Sequence, residues 1–128
     1  MLKKIILCIF IMIFAINGAA ESPVFVNSLE DAVALAESSN KDILVVFSAD
    51  WCKNCKLLKS EFLDSNDPSI DDTIVCIVDY DSRPDLIKEY KVHKIPDSRI
   101  IRRNVEISNI IGFINKYKYK KWLNNARH

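Results

Sequence analysis

A short, continuous apolar run, Ile43-Leu44-Val45-Val46-Phe47, is followed almost at once by two thiols in the segment Ala49-Asp50-Trp51-Cys52-Lys53-Asn54-Cys55-Lys56. The run is rich in β-branched residues and too short for a helix of its own, so it predicts a strand buried on both faces. Downstream, Cys55, Leu58 and Phe62 recur at helical spacing while Lys56, Lys59 and Glu61 take other faces, so a helix begins at or just after Cys52. This junction constrains the fold more than any other feature. It sets Cys52 at the exposed tip of a helix, directly beyond a buried strand.

Unpaired backbone N–H groups and the positive end of the helix dipole favour a thiolate at such a position, and Lys53 adds a neighbouring positive charge. Cys55, three residues on, faces the same side of the first turn and lies deeper, within reach for a disulfide. Cys52 is therefore expected to attack and Cys55 to resolve. No bound cofactor is needed beyond the redox-active Cys52–Cys55 pair itself. A metal reading would need two further ligands, and only His93 and His128 are on offer.

The chain opens with Lys3 and Lys4, continues through an apolar stretch from Ile5 to Ile16, and reaches Gly18-Ala19-Ala20 before its first acidic residue, Glu21. A basic start, a short apolar core and small residues predict a secretory signal peptide, 1–20, cleaved after Ala20. The alternative is an uncleaved membrane anchor, for which this run is short against the roughly 20 apolar residues a bilayer span needs. Cleavage leaves 108 residues, 21–128, enough for one modest core. It also leaves 16 basic against 17 acidic residues, a balance that gives no reason to expect nucleic acid as a partner. Cys52, Cys55 and Cys76 remain, an odd number for an oxidising compartment. Cys76 lies in the apolar run from Thr73 to Val78, where a thiol serves as a small buried hydrophobe.

Val24 to Val26 reads as a brief strand. Ser28 caps a helix carrying Leu29, Ala32, Val33 and Ala36, which ends near Ser38-Ser39-Asn40. Asn66-Asp67-Pro68 breaks the chain after the cysteine helix, and Ile74 to Val78 forms the next strand. Pro84 suits the first turn of a helix running to about Tyr90, since its missing N–H would have been unpaired there. Arg99 to Arg102 and Val105 to Ile111 are strand candidates punctuated by Gly112. Asn115 caps a last helix with Tyr119, Trp122 and Leu123 on one face, and Lys116, Lys120 and Lys121 elsewhere. The order β-α-β-α-β-α-β-β-α, with a terminal antiparallel hairpin, implies an α/β fold: one central mixed sheet flanked by helices on both faces.

The strand ILVVF, the motif ADWCKNCK, the distant Ile95-Pro96 and the closing pattern from Ile110 to Leu123 together resemble a thioredoxin-fold protein over essentially Ser22 to Asn125. Within that fold the chain is most similar to the C-terminal periplasmic domain of bacterial transmembrane disulfide reductases, which also carries ADWC..CK and a Gly-Phe before its last helix. The resemblance implies that Pro96 is a cis-proline facing the disulfide, that Ile95 presents its backbone to an extended substrate strand, and that Trp51, Lys53 and Asn54 border the same groove. Trp51 also has a plainer reading as a core aromatic. His93 could border the site or simply be exposed.

Several positions depart from the family pattern. The usual buried acid six residues before the first cysteine is Val46, the lysine that partners it is Ile77, and an acid seven residues after that cysteine is Lys59. Without a nearby base, Cys55 has to lose its proton to water or to a substrate group. After Pro96 the chain has Asp97-Ser98-Arg99 where the family has Thr and an apolar strand. Arg99 and Arg102 must reach solvent or a carboxylate. Asp97, beside the groove, is expected to oppose a thiolate, with Lys53, His93 and Lys94 pulling the other way.

These readings add up to a monomeric, periplasmic or secreted thiol-disulfide oxidoreductase. It would act on protein thiols and disulfides with a membrane or periplasmic redox partner, more as reductase or isomerase than as oxidase. The rivals are a non-catalytic binding module and a copper-handling protein using Cys52, Cys55 and His93.

Overall fold

The computed structural model describes residues 19–128, so the body of the expected signal peptide, including Cys8, lies outside the described residues. Along the chain, β1 (Val24–Val26) leads to helix α1 (Leu29–Ser39), β2 (Asp42–Ser48), helix α2 (Lys53–Leu58), β3 (Thr73–Asp79), helix α3 (Pro84–Glu89), β4 (Asp97–Arg102), β5 (Val105–Ile111) and helix α4 (Lys116–Arg127). The five strands form one sheet in the order β1-β3-β2-β4-β5. β1 and β2 both run parallel to β3, whereas β4 is antiparallel to β2 and β5 to β4. Among the described residues no helix is long and apolar enough to cross a membrane.

β2 is central and is covered on both sides, as its unbroken apolar run requires. Ile43, Val45 and Phe47 pack with Ile74, Cys76 and Val78 of β3 beneath Leu29 and Ala32 of α1 and Leu86 of α3. Leu44 and Val46 point the other way, into a second core with Val75, Ile100, Leu58, Phe62, Tyr119 and Leu123. This division follows from the two-residue period of a strand. In the second core Phe62, Phe113 and Trp122 surround Tyr119 with ring centroids 4.9, 5.9 and 5.3 Å away, and its hydroxyl donates to Ser98 Oγ at 2.8 Å. Burial holds the Tyr119 phenol well above its ordinary range.

Local signals account for most element ends. Ser28 Oγ accepts from Asp31 N, and Asn115 Oδ1 accepts from Lys118 N. Asn40 closes α1 in the left-handed conformation at φ 56°, and Gly112 turns the chain after β5 at φ 85°. The cysteine helix differs from a plain α-helix: beyond Leu58 it widens into a π-turn over Lys59–Leu63, closed by Asp64 N donating to Lys59 O at 2.8 Å. The extra residue in that turn brings both Phe62 and Leu63 against the sheet. A 3-10 turn at Pro68–Ile70 then leads into β3.

Both arginines of β4 find carboxylates. Arg102 grips Asp42 with two hydrogen bonds of 2.9 and 2.8 Å, joining the ends of two neighbouring strands, and Arg99 pairs with Asp97 and Glu106. Removing the Tyr119 hydroxyl leaves the buried Ser98 without its donor. We therefore expect Tyr119→Phe to lower unfolding free energy by about 1 kcal/mol, read as a shift of the urea midpoint at unchanged slope.

Candidate active site

β2 and β3 end side by side, with Ser48 opposite Asp79 and Tyr80 N donating to Ser48 O at 2.8 Å. The chain leaves β2 through Ala49, Asp50 and Trp51 and enters α2 with Cys52 as its N-cap. That cap is made by sulfur: Cys55 N points at Cys52 Sγ at 3.3 Å. An N–H aimed at a sulfur favours the thiolate once the pair is reduced. The two cysteines form a disulfide, with Cα atoms 5.2 Å apart.

Cys52, the expected nucleophile, is more covered than the helix tip suggested. Cys52 is 8% exposed and Cys55 3%, because Ala49, Tyr80 and Ile95 pack around them. Cys52 nevertheless lines an open cleft of about 350 Å³ together with Trp51, Tyr80, His93, Lys94 and Ile95. Its sulfur lies 3.6 Å from the Ile95 carbonyl oxygen, and the Ile95-Pro96 peptide bond is cis. That cleft gives an open approach to Cys52.

The residues expected at the groove differ in how far they reach solvent, and of Trp51, Lys53, Asn54, Ile95 and Pro96 only Trp51 and Ile95 line the cleft. Trp51 is 65% exposed, which overturns its reading as a core aromatic. Its indole N–H donates to Asp81 Oδ2 at 2.8 Å and its ring meets Tyr80 edge-on, with centroids 6.2 Å apart. Lys53 and Asn54 are exposed on the first turn of α2, Ile95 is half-buried, and Pro96 is buried. His93 and Lys94 are exposed and line the cleft. Tyr80 and Asp81 escaped the sequence reading. Their signal was the parallel pairing of β2 with β3, which brings the residues after each strand to one end of the sheet.

Two expectations about charge meet different outcomes. Val46 and Ile77 are cross-strand partners and pack in the second core, so an apolar pair stands where the thioredoxin-fold resemblance implies an acid and a lysine. Asp97 does not oppose a thiolate at the groove: it is 1% exposed, and both carboxylate oxygens accept from Arg99, at 3.0 and 2.9 Å. A neutralised, enclosed carboxylate adds little field to the cleft. Among the described residues no group of three or more His, Cys, Asp or Glu side chains is arranged to hold a metal ion.

Cys76 takes no part in this site. It is buried on β3 in the first core, and burial pushes its thiol up to about 11. Its thiolate fraction at neutral pH is therefore far below that of an ordinary cysteine. Iodoacetamide at pH 8 should label Cys52 in the reduced native protein and spare Cys76 until denaturant is added, with peptide mass spectrometry as the readout.

A thioredoxin family model matches residues 24–125. The chain is 33% identical over 88 residues to a thioredoxin of Mycoplasma genitalium, covering 69% of this chain and 85% of that one. It is 34% identical over 76 residues to thioredoxin H2 of Arabidopsis thaliana, covering 59% of this chain and 56% of the relative. The fold is similar to that of a mutant thioredoxin from Halobacterium salinarum, with a TM-score of 0.69 at 21% identity over 87% of this chain and 97% of that one.

Proposed function

This chain belongs to the thioredoxin family and is a thiol-disulfide oxidoreductase; we propose that it works on exported proteins, through Cys52 as nucleophile and Cys55 as resolving thiol. One observation carries the assignment of roles: Cys52 Sγ faces the cleft beside the Ile95 carbonyl, while Cys55 sits deeper and turns its backbone N–H toward that sulfur. The Cys52 thiolate attacks one sulfur of a substrate disulfide, forming a mixed disulfide as the other substrate sulfur leaves as thiolate. Cys55, deprotonated, then attacks Cys52 Sγ and expels the second substrate thiolate. Two electrons pass to the substrate, the Cys52–Cys55 disulfide forms, and a donor dithiol restores the pair. No cofactor takes part.

Trp51, Lys53, Asn54, Ile95 and Pro96 are assigned to substrate contact: Trp51 and Ile95 line the cleft, Lys53 and Asn54 lie exposed on the first turn of α2, and Pro96 is buried next to Ile95. An extended segment is placed there on the family resemblance, along Ile95, which lines the cleft with its carbonyl 3.6 Å from Cys52 Sγ. Reduction is favoured over oxidation. A strong oxidant needs a heavily stabilised thiolate, and Cys52 has one backbone N–H and the exposed Lys53 to supply it. The likeness to the periplasmic domain of transmembrane disulfide reductases, in ADWC..CK and Gly112-Phe113, points the same way.

The protein acts in the periplasm or after secretion, as a monomer supplied with electrons by a membrane or periplasmic partner. Its signal peptide is cleaved after Ala20, leaving residues 21–128 as the mature domain. Supporting that boundary, Glu21 is held by the folded domain: its N–H donates to Asp72 at 2.8 Å, its carbonyl accepts from Asp72 N at 2.8 Å, and its carboxylate pairs with Lys41.

Insulin reduction with dithiothreitol tests the activity. Wild type should accelerate precipitation of the B chain and Cys52→Ser should abolish the acceleration; Cys55→Ala, reduced and then freed of dithiothreitol, should trap mixed disulfides that adding dithiothreitol releases. A protein that gave no acceleration over background would be a binding module. The direction is read from the potential of the couple, which should lie nearer about −270 mV than about −120 mV.

A further inference from the structure

The cleft wall opposite the cysteines is the segment from Lys91 to Pro96, which belongs to no helix or strand. One side chain holds both its ends. Arg99, on β4, donates from Nε and Nη2 to the two carboxylate oxygens of Asp97, the residue directly after Pro96, at 3.0 and 2.9 Å. The same Nη2 donates to the carbonyl of Tyr90, where α3 stops, at 2.6 Å. Nη1 reaches Glu106 on β5 at 3.1 Å, and the guanidinium lies over the rings of Phe47 and Tyr90, 5.6 and 5.4 Å from their centroids.

We propose that Arg99 is a positioning residue for exchange with protein substrates. By tying Tyr90 to Asp97 it fixes the segment between them, and with it the Ile95 carbonyl that lies 3.6 Å from Cys52 Sγ.

Stability alone gives little reason for this arrangement, because an apolar pair of similar volume commonly serves a core as well as a buried ion pair does. What the guanidinium supplies is geometry: a planar fork matches one carboxylate and still has an N–H left for a carbonyl. Two further ties, Val92 N to Ile87 O at 2.9 Å and Gly112 N to Pro96 O at 2.7 Å, keep the segment folded without Arg99. Losing Arg99 therefore loosens the wall rather than dismantling it. A small disulfide needs only the Cys52 sulfur, whereas an extended protein segment has to lie along the wall.

The inference rests on Ile95 as a groove residue, and its test separates the two claims. Asp97→Leu/Arg99→Leu removes the pair without stranding a buried charge, and Arg99→Lys keeps the charge without the fork. Both variants and wild type are compared on insulin and on the small disulfide 5,5′-dithiobis(2-nitrobenzoate), well below their melting temperatures. Both variants should raise KM for insulin about tenfold, with kcat for insulin and the rate on the small disulfide changed by less than about twofold. An unchanged insulin KM in the double variant, a wild-type KM in Arg99→Lys, or equal losses on both substrates would overturn the proposal. A wild-type protein inactive on both disulfides would instead overturn the functional reading beneath it.

Discussion

Two-sided burial of β2 is the constraint on which the rest of this molecule depends. A strand that is apolar at every position from Ile43 to Phe47 has no face to give to water, so helices must cover both sides and other strands must lie on both edges. Its C-terminal end is thereby fixed at the middle of one edge of the sheet. The chain can leave only there, and it leaves straight into the helix that carries the cysteines. The reactive pair follows directly on a strand whose apolar residues are fully buried.

The polar contacts of the Cys52 sulfur come from backbone groups. An amide N–H faces Cys52 Sγ, a carbonyl flanks it, and the strand position that could carry an acid behind it is an apolar valine paired with an isoleucine. Charge enters the neighbouring strand as a closed set instead. Arg99 is enclosed by Asp97, Glu106, the Tyr90 carbonyl and two aromatic rings. Hydrogen bonding to Asp97, the largest influence on it, holds the guanidinium above its ordinary range. The ionic pair therefore acts on the site through geometry, with little net field, and the cleft keeps its open character between Trp51 and Lys94.

Local chemistry explains how much could be read in advance. Ser28, Asn40, Pro84, Gly112 and Asn115 each act on their own few residues, and the structure uses all five as element boundaries. The strand period placed Ile43, Val45 and Phe47 apart from Leu44 and Val46. The π-turn at Lys59–Leu63 was not legible, because packing of both Phe62 and Leu63 against one sheet selects it over an ordinary turn. Tyr80 and Asp81 were missed for a similar reason: they join the site only through the pairing of β3 with β2.

Asp97 shows the boundary most sharply. Read along the chain, it is an acid next to the groove; folded, it is an enclosed carboxylate whose two oxygens belong to an arginine on the same face of its strand. The amino-acid order by itself determined the buried strand, the helix that follows it, and the two thiols one turn apart at that helix's start, since each depends on spacing within a few residues. Which side chains share the cleft, how deeply Cys52 lies and whether a charge is felt or silenced were decided only by tertiary structure, because burial and charge pairing are properties of neighbours brought together from distant parts of the chain.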